Sequence, residues 1–298
     1  MNDIHDNTRD GSREPLLVCP VCRMPLTRFA EEHRYACENR HSFDISRKGH
    51  VNLLPSNKKN SKTPGDSPEM VRARTSFLNA GYYEGFSEGI NAICLDALQR
   101  RREAFIADAG CGEGYYTERL AKSFRNASVS VTAAGFDLSR DAVAHAASIT
   151  KGDPSFCFCV ASLFDMPLAD SSVDLVVNLF APVADAEFDR VLRDDGCLLI
   201  AVPAENHLFG LKSAIYEKPY RNEVRRDELE HFALREVRHV EYTVTLRSRE
   251  DIANLFMMTP YYWKTSLADK ARLAAYETLG TEVSFDLLLY EKKRKNRL

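Results

Sequence analysis

The sequence Asp108-Ala109-Gly110-Cys111-Gly112-Glu113-Gly114-Tyr115-Tyr116 decides the fold of this chain. It follows a short apolar run over residues 104–107, which is typical of one buried strand, and a helical pattern over residues 116–124 comes next. Three glycines in five residues at a strand-to-helix turn let the backbone approach a ligand closely. The stretch therefore predicts a ligand-binding loop at the carboxyl end of a strand.

Two acids in this loop argue against a phosphate ligand. Glu113 stands inside the loop and Asp108 closes the strand, whereas the dinucleotide fingerprint G-x-G-x-x-G holds a pyrophosphate. Carboxylates repel phosphates but suit a ligand with cationic and hydroxyl groups. S-adenosylmethionine (AdoMet) has an ammonium, a sulfonium and a ribose. Asp108, Gly110, Gly112 and Glu113 are therefore candidate contacts for that cofactor.

A second strand, over residues 129–137, also ends in an acid. Asp137 lies close to the ~20-residue offset from the glycines that is expected of an acceptor for ribose hydroxyls. A glycine turn with Asp137 as a helix N-cap is the alternative interpretation.

The rest of the chain alternates between strand and helix patterns, and a late pair of strands is expected over 237–246 and 283–290. This order predicts an α/β fold, namely a Rossmann-like, AdoMet-dependent methyltransferase domain with a seven-stranded, mostly parallel sheet.

Three of the eight cysteines fall within the first 40 residues. Cys19 and Cys22 form C-x2-C, and after fourteen intervening residues Cys37 and His41 form C-x3-H. Four soft or borderline ligands at this spacing are typical of a small zinc-binding module in which a hairpin joins two knuckles. The protein supplies all four ligands, so the predicted zinc site is closed and structural. A redox pair at Cys19 and Cys22 is the alternative.

Charge is unevenly distributed along the chain. The net charge is −3, yet the segment 13–74 holds 12 Lys or Arg against 7 Asp or Glu. A basic metal module beside an acidic domain favours polyanion binding by the module, and a solvated basic surface is the alternative. We expect a disordered N-terminus over 1–14, a zinc-binding RNA-recognition module over 15–60 and the methyltransferase domain over 61–298.

The sequence also predicts a cellular compartment. No apolar run approaches the ~20 residues of a membrane span, and no signal peptide is recognisable. The five remaining cysteines lie singly or in apolar segments, which is typical of buried thiols in a reducing compartment. We therefore expect a cytoplasmic protein without a membrane partner.

Several motifs together resemble the bacterial 23S ribosomal RNA (guanine-N1)-methyltransferases, a family with housekeeping members and members that confer resistance to tylosin-type macrolides. The motifs are Cys-Pro-x-Cys at 19–22, Cys-x3-His-x-Phe-Asp at 37–44, Gly49-x-Val51-Asn52-Leu53-Leu54-Pro55, Pro64-Gly65-Asp66-Ser67, Arg74-x2-Phe77-Leu78-x-Ala80-Gly81-x-Tyr83, the glycine loop 110–117 and Met258-Thr259-Pro260. The resemblance covers about residues 15–290.

The resemblance implies roles for individual positions. The positions that match AdoMet contacts of the family are Tyr83, Gly112, Glu113 and His207. Those that match its zinc ligands are Cys19, Cys22, Cys37 and His41. The family resemblance further implies methylation of N1 of one guanine in a hairpin of 23S RNA domain II, a homodimer, and a zinc module that helps to hold the RNA.

No residue identifies itself as a catalytic base, although the proton on guanine N1 has to leave. Phe180, Tyr262 and Trp263 are candidates for stacking on the target base, with a core position as the alternative for each. Two other function classes stay open. A small-molecule AdoMet methyltransferase would not need a basic zinc module, and a non-catalytic RNA-binding protein would not need the glycine loop.

Overall fold

The structure is a computed structural model that describes residues 17–55, 65–224 and 228–293 of the 298-residue chain. Three parts of the sequence lie outside the described residues. They are the segment 1–14, which is predicted to be disordered, the basic linker with Lys58, Lys59 and Lys62, and the basic end of the chain from residue 294 onward.

The strands and helices of the described part are as follows. The strands are β1 (Thr27–Phe29), β2 (Arg34–Ala36), β3 (Ser42–Asp44), β4 (Val51–Asn52), β5 (Glu103–Ala109), β6 (Ser130–Asp137), β7 (Phe156–Val160), β8 (Val173–Leu179), β9 (Leu192–Pro203), β10 (Phe232–Leu246) and β11 (Leu279–Lys292). The helices are α1 (Pro68–Asn79), α2 (Glu84–Leu98), α3 (Tyr115–Asn126), α4 (Arg140–Ile149), α5 (Asp185–Val191), α6 (Phe209–Ile215), α7 (Arg249–Met258), α8 (Tyr261–Lys264) and α9 (Leu267–Leu273).

The large sheet has the strand order β10-β11-β9-β8-β5-β6-β7-β4. Strands β9, β8, β5, β6, β7 and β4 run parallel to one another, and β11 lies antiparallel between β9 and β10. Five parallel strands extended by a late pair are the arrangement that the sequence predicts, so the mostly parallel methyltransferase sheet is confirmed. The carboxyl ends of β5, β6 and β8 lie side by side at one edge of this sheet.

The predicted count of seven strands is wrong by one. The eighth strand is β4, which runs parallel to β7 with Val51 opposite Cys159 and Asn52 opposite Val160. The amide of Leu53 adds a hydrogen bond of 3.0 Å to the carbonyl of Val160. Two paired residues carry no alternating pattern, so the sequence offers no periodic signal for this strand.

The N-terminal ribbon is a small antiparallel sheet in the order β1-β2-β3. Its buried residues belong to the same hydrophobic cluster as one face of the large sheet, where Leu17 and Tyr35 join Phe105 and Phe136. Ribbon and sheet therefore share one continuous core on this face. A ribbon of this size buries little apolar surface by itself, so this shared core adds to its stability.

Polar contacts reinforce this docking. The guanidinium of Arg23 donates to the carbonyls of Met166 at 3.2 Å and Leu168 at 3.3 Å. The amide of Val18 donates to the carbonyl of Pro167 at 2.9 Å. These hydrogen bonds fix the segment 166–168, which follows β7, to the ribbon.

The opposite face of the sheet is covered by α2 and α3. Apolar residues of α2, among them Phe86 and Ile90, recur at helical spacing and pack with Leu120 of α3 and Phe285 of β11. Within the described ranges, no helix is long and apolar enough to cross a membrane.

Two capping serines place helix starts at the same edge of the sheet. The hydroxyl of Ser67 accepts from the amide of Met70 at 3.3 Å and caps the start of α1. Ser139 caps α4, and its hydroxyl also donates to the carbonyl of Asp66 at 3.0 Å. The residues just before α1 are thus tied to the loop that follows β6.

Candidate cofactor cavity and metal centre

One cavity of about 680 Å³ opens at the carboxyl ends of β5, β6 and β8. The structure brings all seven predicted cofactor residues together in its lining. They are Tyr83, Asp108, Gly110, Gly112, Glu113, Asp137 and His207. The grouping follows from topology, because parallel strands place their carboxyl ends at a common edge.

The glycine loop needs glycine for two physical reasons. Gly110, Gly112 and Gly114 all have positive φ, at 97°, 52° and 83°. A Cβ on Gly110 would lie 2.5 Å from the Cβ of Ala181, so a side chain there would push apart the loops that follow β5 and β8. Backbone left without side chains in this way can approach a ligand closely.

Asp108 is buried at the floor of the cavity, with 3% of its surface exposed. One carboxylate oxygen accepts from the hydroxyl of Thr117, and among the described residues the other has no hydrogen-bond partner. Burial raises the pKa of this carboxyl to about 7, the bond from Thr117 opposes the rise, and the charges of Asp137 and Glu113 add to it. A buried acceptor without a donor suits a ligand that brings one, such as the ammonium of AdoMet.

Asp137 ties two loops together. Its Oδ2 accepts from the amide of Gly112 at 3.0 Å and its Oδ1 accepts from the amide of Ser139 at 2.7 Å. Burial raises its pKa, and the two backbone donors oppose the rise. The cap of α4 is Ser139, so Asp137 is not the helix N-cap of the alternative interpretation. Each carboxylate oxygen has a second lone pair that can still accept a ribose hydroxyl.

Arg74 is a cavity residue to which the sequence analysis gave no role. Its Nε donates to Oε2 of Glu113 at 2.6 Å, and a second guanidinium nitrogen donates to Asp66. The lining therefore holds four carboxyl groups, including those of Asp108 and Asp137, against one guanidinium. The surplus of negative charge favours a cationic ligand. The sequence did contain a signal for such a residue, because acids clustered in one cavity need a nearby cation to balance part of their charge.

His207 is held in one neutral form. Burial lowers its pKa to about 3, and the charge of Lys212 contributes in the same direction. The amide of Ser284 donates to Nδ1 at 3.2 Å, so the proton resides on Nε2, which lies 3.5 Å from Oη of Tyr83. His207 can therefore donate a hydrogen bond into the cavity, but it is not available as a general base.

The remaining wall of the cavity is apolar. Two of the three stacking candidates lie in it and stay accessible, Phe180 with 53% and Trp263 with 72% of their surfaces exposed. Tyr262 is absent from the described lining. It packs against Phe256 with ring centroids 5.4 Å apart, and Nζ of Lys270 lies 4.1 Å from its ring.

The predicted zinc ligands also converge. The ligand atoms of Cys19, Cys22, Cys37 and His41 all lie within 4.8 Å of one another. Sγ of Cys22 is 3.7 Å from Sγ of Cys37, and Nδ1 of His41 is 3.4 Å from Sγ of Cys37 and 3.5 Å from Sγ of Cys19. A tetrahedron with Zn–S bonds of about 2.3 Å has edges of about 3.8 Å, so these separations fit a zinc ion.

Both halves of the metal cluster are tight turns. The amide of Arg23 donates to the carbonyl of Cys19 at 2.8 Å, and the amide of Arg40 donates to that of Cys37 at 2.9 Å. Arg23 and Arg40 have positive φ, 61° and 63°, which folds each turn around its cysteines.

The surface of the ribbon carries basic side chains. Arg47 and Lys48 are exposed, and in the part of the chain that the structure describes neither makes an ion pair. Their charges are therefore available to an anionic partner.

Comparisons with known proteins agree with this architecture. The family of RlmA N-terminal zinc ribbons matches residues 17–62, and a methyltransferase domain family matches residues 106–196. A protein of Micromonospora griseorubida assigned to 23S rRNA (guanine-N1)-methylation is 33% identical over 88% of this chain and 90% of its own. A 23S rRNA (guanine(748)-N1)-methyltransferase of Streptomyces fradiae is 32% identical over 67% of each chain. YxjB of Bacillus subtilis, assigned to the same guanine-N1 reaction, is 29% identical over 91% of this chain and 95% of its own.

Fold and site together define an AdoMet-dependent methyltransferase that carries an N-terminal zinc ribbon. Within that class, the chain belongs to the family of 23S rRNA (guanine-N1)-methyltransferases.

Proposed function

We propose that this protein transfers the methyl group of AdoMet to N1 of one guanine in a hairpin of 23S rRNA domain II. The observation that carries the proposal is the acidic cavity at the carboxyl ends of β5, β6 and β8, on a sheet whose edge strand β4 directly follows the zinc ribbon in the chain. A small-molecule methyltransferase would not require the ribbon. A binding protein without catalysis would not require the cavity.

The cavity offers complementary groups to each part of AdoMet. The unpartnered Oδ1 of Asp108 would accept from the ammonium, and Asp137 would accept from the ribose hydroxyls. Gly110 and Gly112 would let the ligand approach the backbone closely. Glu113, held by its hydrogen bond from Arg74, would contact the cofactor as part of the cavity wall.

His207 and Tyr83 would close the inner end of the cavity around the cofactor. His207 is neutral and presents Nε2–H, and Tyr83 presents a hydroxyl beside it at 3.5 Å. Neither brings a charge, so neither opposes a sulfonium nearby.

When bound, AdoMet supplies an activated methyl group, so the work of this chain is alignment of the acceptor. The guanine N1–H proton passes to solvent water during transfer, and the acidic lining would stabilise positive charge on the base until that proton has left. His207 is not the acceptor of that proton, because its Nδ1 already accepts from Ser284.

The ribbon would grip the RNA. Cys19, Cys22, Cys37 and His41 would hold one structural zinc, which keeps Arg47 and Lys48 on a fixed surface for phosphate contacts. A 23S rRNA substrate would place the protein in the cytoplasm. We include a homodimer in the proposal, to be checked by light scattering.

The test is transfer of tritiated methyl from AdoMet to rRNA extracted from a strain that lacks the gene, followed by nucleoside analysis. We expect label in 1-methylguanosine of 23S rRNA, and its loss with Asp108→Asn. Label in a different nucleoside would refute the acceptor atom, and absence of label in RNA would refute the RNA substrate. Resistance to tylosin-type macrolides on expression is a separate expectation, measured by growth.

A further inference from the structure

We propose that Phe180 is the platform on which the target guanine stacks during methyl transfer. The inference rests on the proposed function and adds a residue that would touch the substrate base. It starts from the backbone of Phe180, which directly follows β8 at the cavity wall.

Phe180 has a φ of +60°, in the left-handed region that bulky residues rarely occupy. Glycine would take this conformation without strain, yet an aromatic residue stands here. Strain of this kind persists only where the surrounding structure imposes it, and it is concentrated at functional sites. The strained backbone therefore indicates that the orientation of the Phe180 ring contributes to function.

The ring is supported from below and open above. Its centroid lies 5.1 Å from that of Phe285 and 5.6 Å from that of Phe86, and both of these residues are buried. In contrast, 53% of the surface of Phe180 stays exposed in the cavity wall. An exposed aromatic ring on a rigid apolar base is a suitable surface for a splayed-out nucleobase.

The loop that carries Phe180 is fastened to the cofactor loop. The side-chain amide of Asn178 donates to the carbonyls of Ala109 at 3.0 Å and Pro182 at 3.2 Å. Gly110 leaves room for Ala181, since an added Cβ would be 2.5 Å from it. The stacking platform and the methyl-donor loop thus keep a fixed relation, which methyl transfer to a stacked base requires.

Trp263 and Tyr262 fit this role less well. Trp263 lies on a four-residue helix at the rim with 72% of its surface exposed, and Tyr262 is outside the described lining. The rim position of Trp263 suits contact with the RNA around the target base.

The test compares Phe180→Leu, Phe180→Tyr and Phe180→Gly with wild type, using 23S rRNA from the strain without the gene. Initial rates give kcat and KM for RNA, calorimetry gives AdoMet affinity, and thermal unfolding gives stability. Tyr276→Leu, which removes an exposed aromatic ring outside the cavity lining, is the matched control.

We expect Phe180→Leu to lower kcat/KM for RNA by about 10- to 100-fold, the scale of removing one base–aromatic stack. AdoMet affinity should stay within about twofold, Phe180→Tyr should keep most activity, and Tyr276→Leu should match wild type. Phe180→Gly should also lose activity, because it removes the ring. Glycine relieves the backbone strain, so the unfolding midpoint of this variant should not lie below that of Phe180→Leu.

Unchanged kcat/KM in Phe180→Leu would overturn the platform, and so would a drop in AdoMet affinity equal to the drop in activity. If Phe180→Leu fails to fold, the Phe180→Tyr and Phe180→Gly variants decide: an inactive Phe180→Tyr, or a fully active Phe180→Gly, overturns the inference. A wild-type enzyme that methylates no RNA refutes the proposed function itself, and the platform falls with it.

Discussion

Arg74 on α1 and Glu113 in the glycine loop are joined by a 2.6 Å hydrogen bond from Nε to Oε2. The side chain of Glu113 is only 5% exposed, so this pair is screened from solvent on the carboxylate side. Glu113 therefore cannot be treated as an isolated acid that waits for the cofactor. Its charge is shared with an arginine that also reaches Asp66.

A double-mutant cycle should show this coupling. Arg74→Met leaves the buried Glu113 carboxylate unpaired beside two other acids and should cost about 2–4 kcal/mol of unfolding free energy. Glu113→Gln should cost less, and the double variant should cost clearly less than the sum. Urea unfolding of the four proteins measures the cycle. Additivity within about 0.5 kcal/mol would show that the pair is not energetically coupled.

Because of Asp108, the stability of the AdoMet-free protein should fall with rising pH, whereas the affinity for AdoMet should rise. Its pKa is raised from 3.8 to about 7, so within that window the native state holds a proton that the unfolded chain has released. Asp108 therefore makes the AdoMet-free protein less stable as pH rises through this window. Affinity for AdoMet should increase over the upper part of it, because the ionised carboxylate attracts the ammonium.

Wild type and Asp108→Asn should be compared near pH 6 and near pH 8. Unfolding gives the stability of each protein, and calorimetric titration gives its affinity for AdoMet. The variant should be more stable than wild type near the higher pH and should bind AdoMet weakly at both. A wild-type affinity that falls with rising pH would contradict the assignment.

Loss of zinc should destabilise the methyltransferase sheet as well as the ribbon. Cys22→Ser removes one of four converging ligands, and the ribbon shares a hydrophobic core with the large sheet and leads directly into its edge strand β4. We expect one zinc per wild-type chain by metal analysis, loss of that zinc in the variant, and a lower thermal midpoint of the whole protein. Chelation of wild type should reproduce the shift and added zinc should reverse it. An unchanged midpoint after zinc loss would mean that the ribbon is energetically separate.

Neutralising the basic ribbon surface should weaken RNA binding without affecting AdoMet. Arg47→Ala combined with Lys48→Ala removes two exposed cations, and the slope of log affinity against log salt should flatten by about 0.7–0.9 for each phosphate that is no longer neutralised. Arg235→Ala with Arg247→Ala is the control, since both side chains are exposed on or just after β10, the edge strand opposite β4 in the sheet. A control as weak as the ribbon variant would indicate general electrostatics instead of a ribbon site.

The site residues that the sequence could predict are those fixed by strand ends. Asp108 and Asp137 close successive parallel strands, so topology alone puts them in one cavity. The zinc ligands were predictable for a similar reason, because their spacing is local. The proposed contacts of these residues with AdoMet and zinc stay predictions.

The parts that the sequence could not predict depend on packing between distant elements. Arg74 reaches Glu113 only because α1 lies against the cofactor loop, and no local pattern encodes that contact. Tyr262 and Trp263 are adjacent and chemically similar, yet only the second lines the cavity, because a single helical turn points neighbours in different directions. Strand β4 has two residues and therefore no period.

Strand β4 is synthesised before the other strands of the large sheet, but it can be added to that sheet only after its partner β7 has been made. Val51 precedes the whole methyltransferase sheet in the chain, whereas its partner Cys159 comes after β5 and β6. Closing so long a loop costs entropy that only the assembled neighbours can offset. During translation, the ribbon and β4 would emerge first, and β4 would stay unpaired until β7 is made. Zinc bound by Cys19, Cys22, Cys37 and His41 would fold the ribbon at that stage, so the metal would stabilise the N-terminal part of the chain before β7 exists.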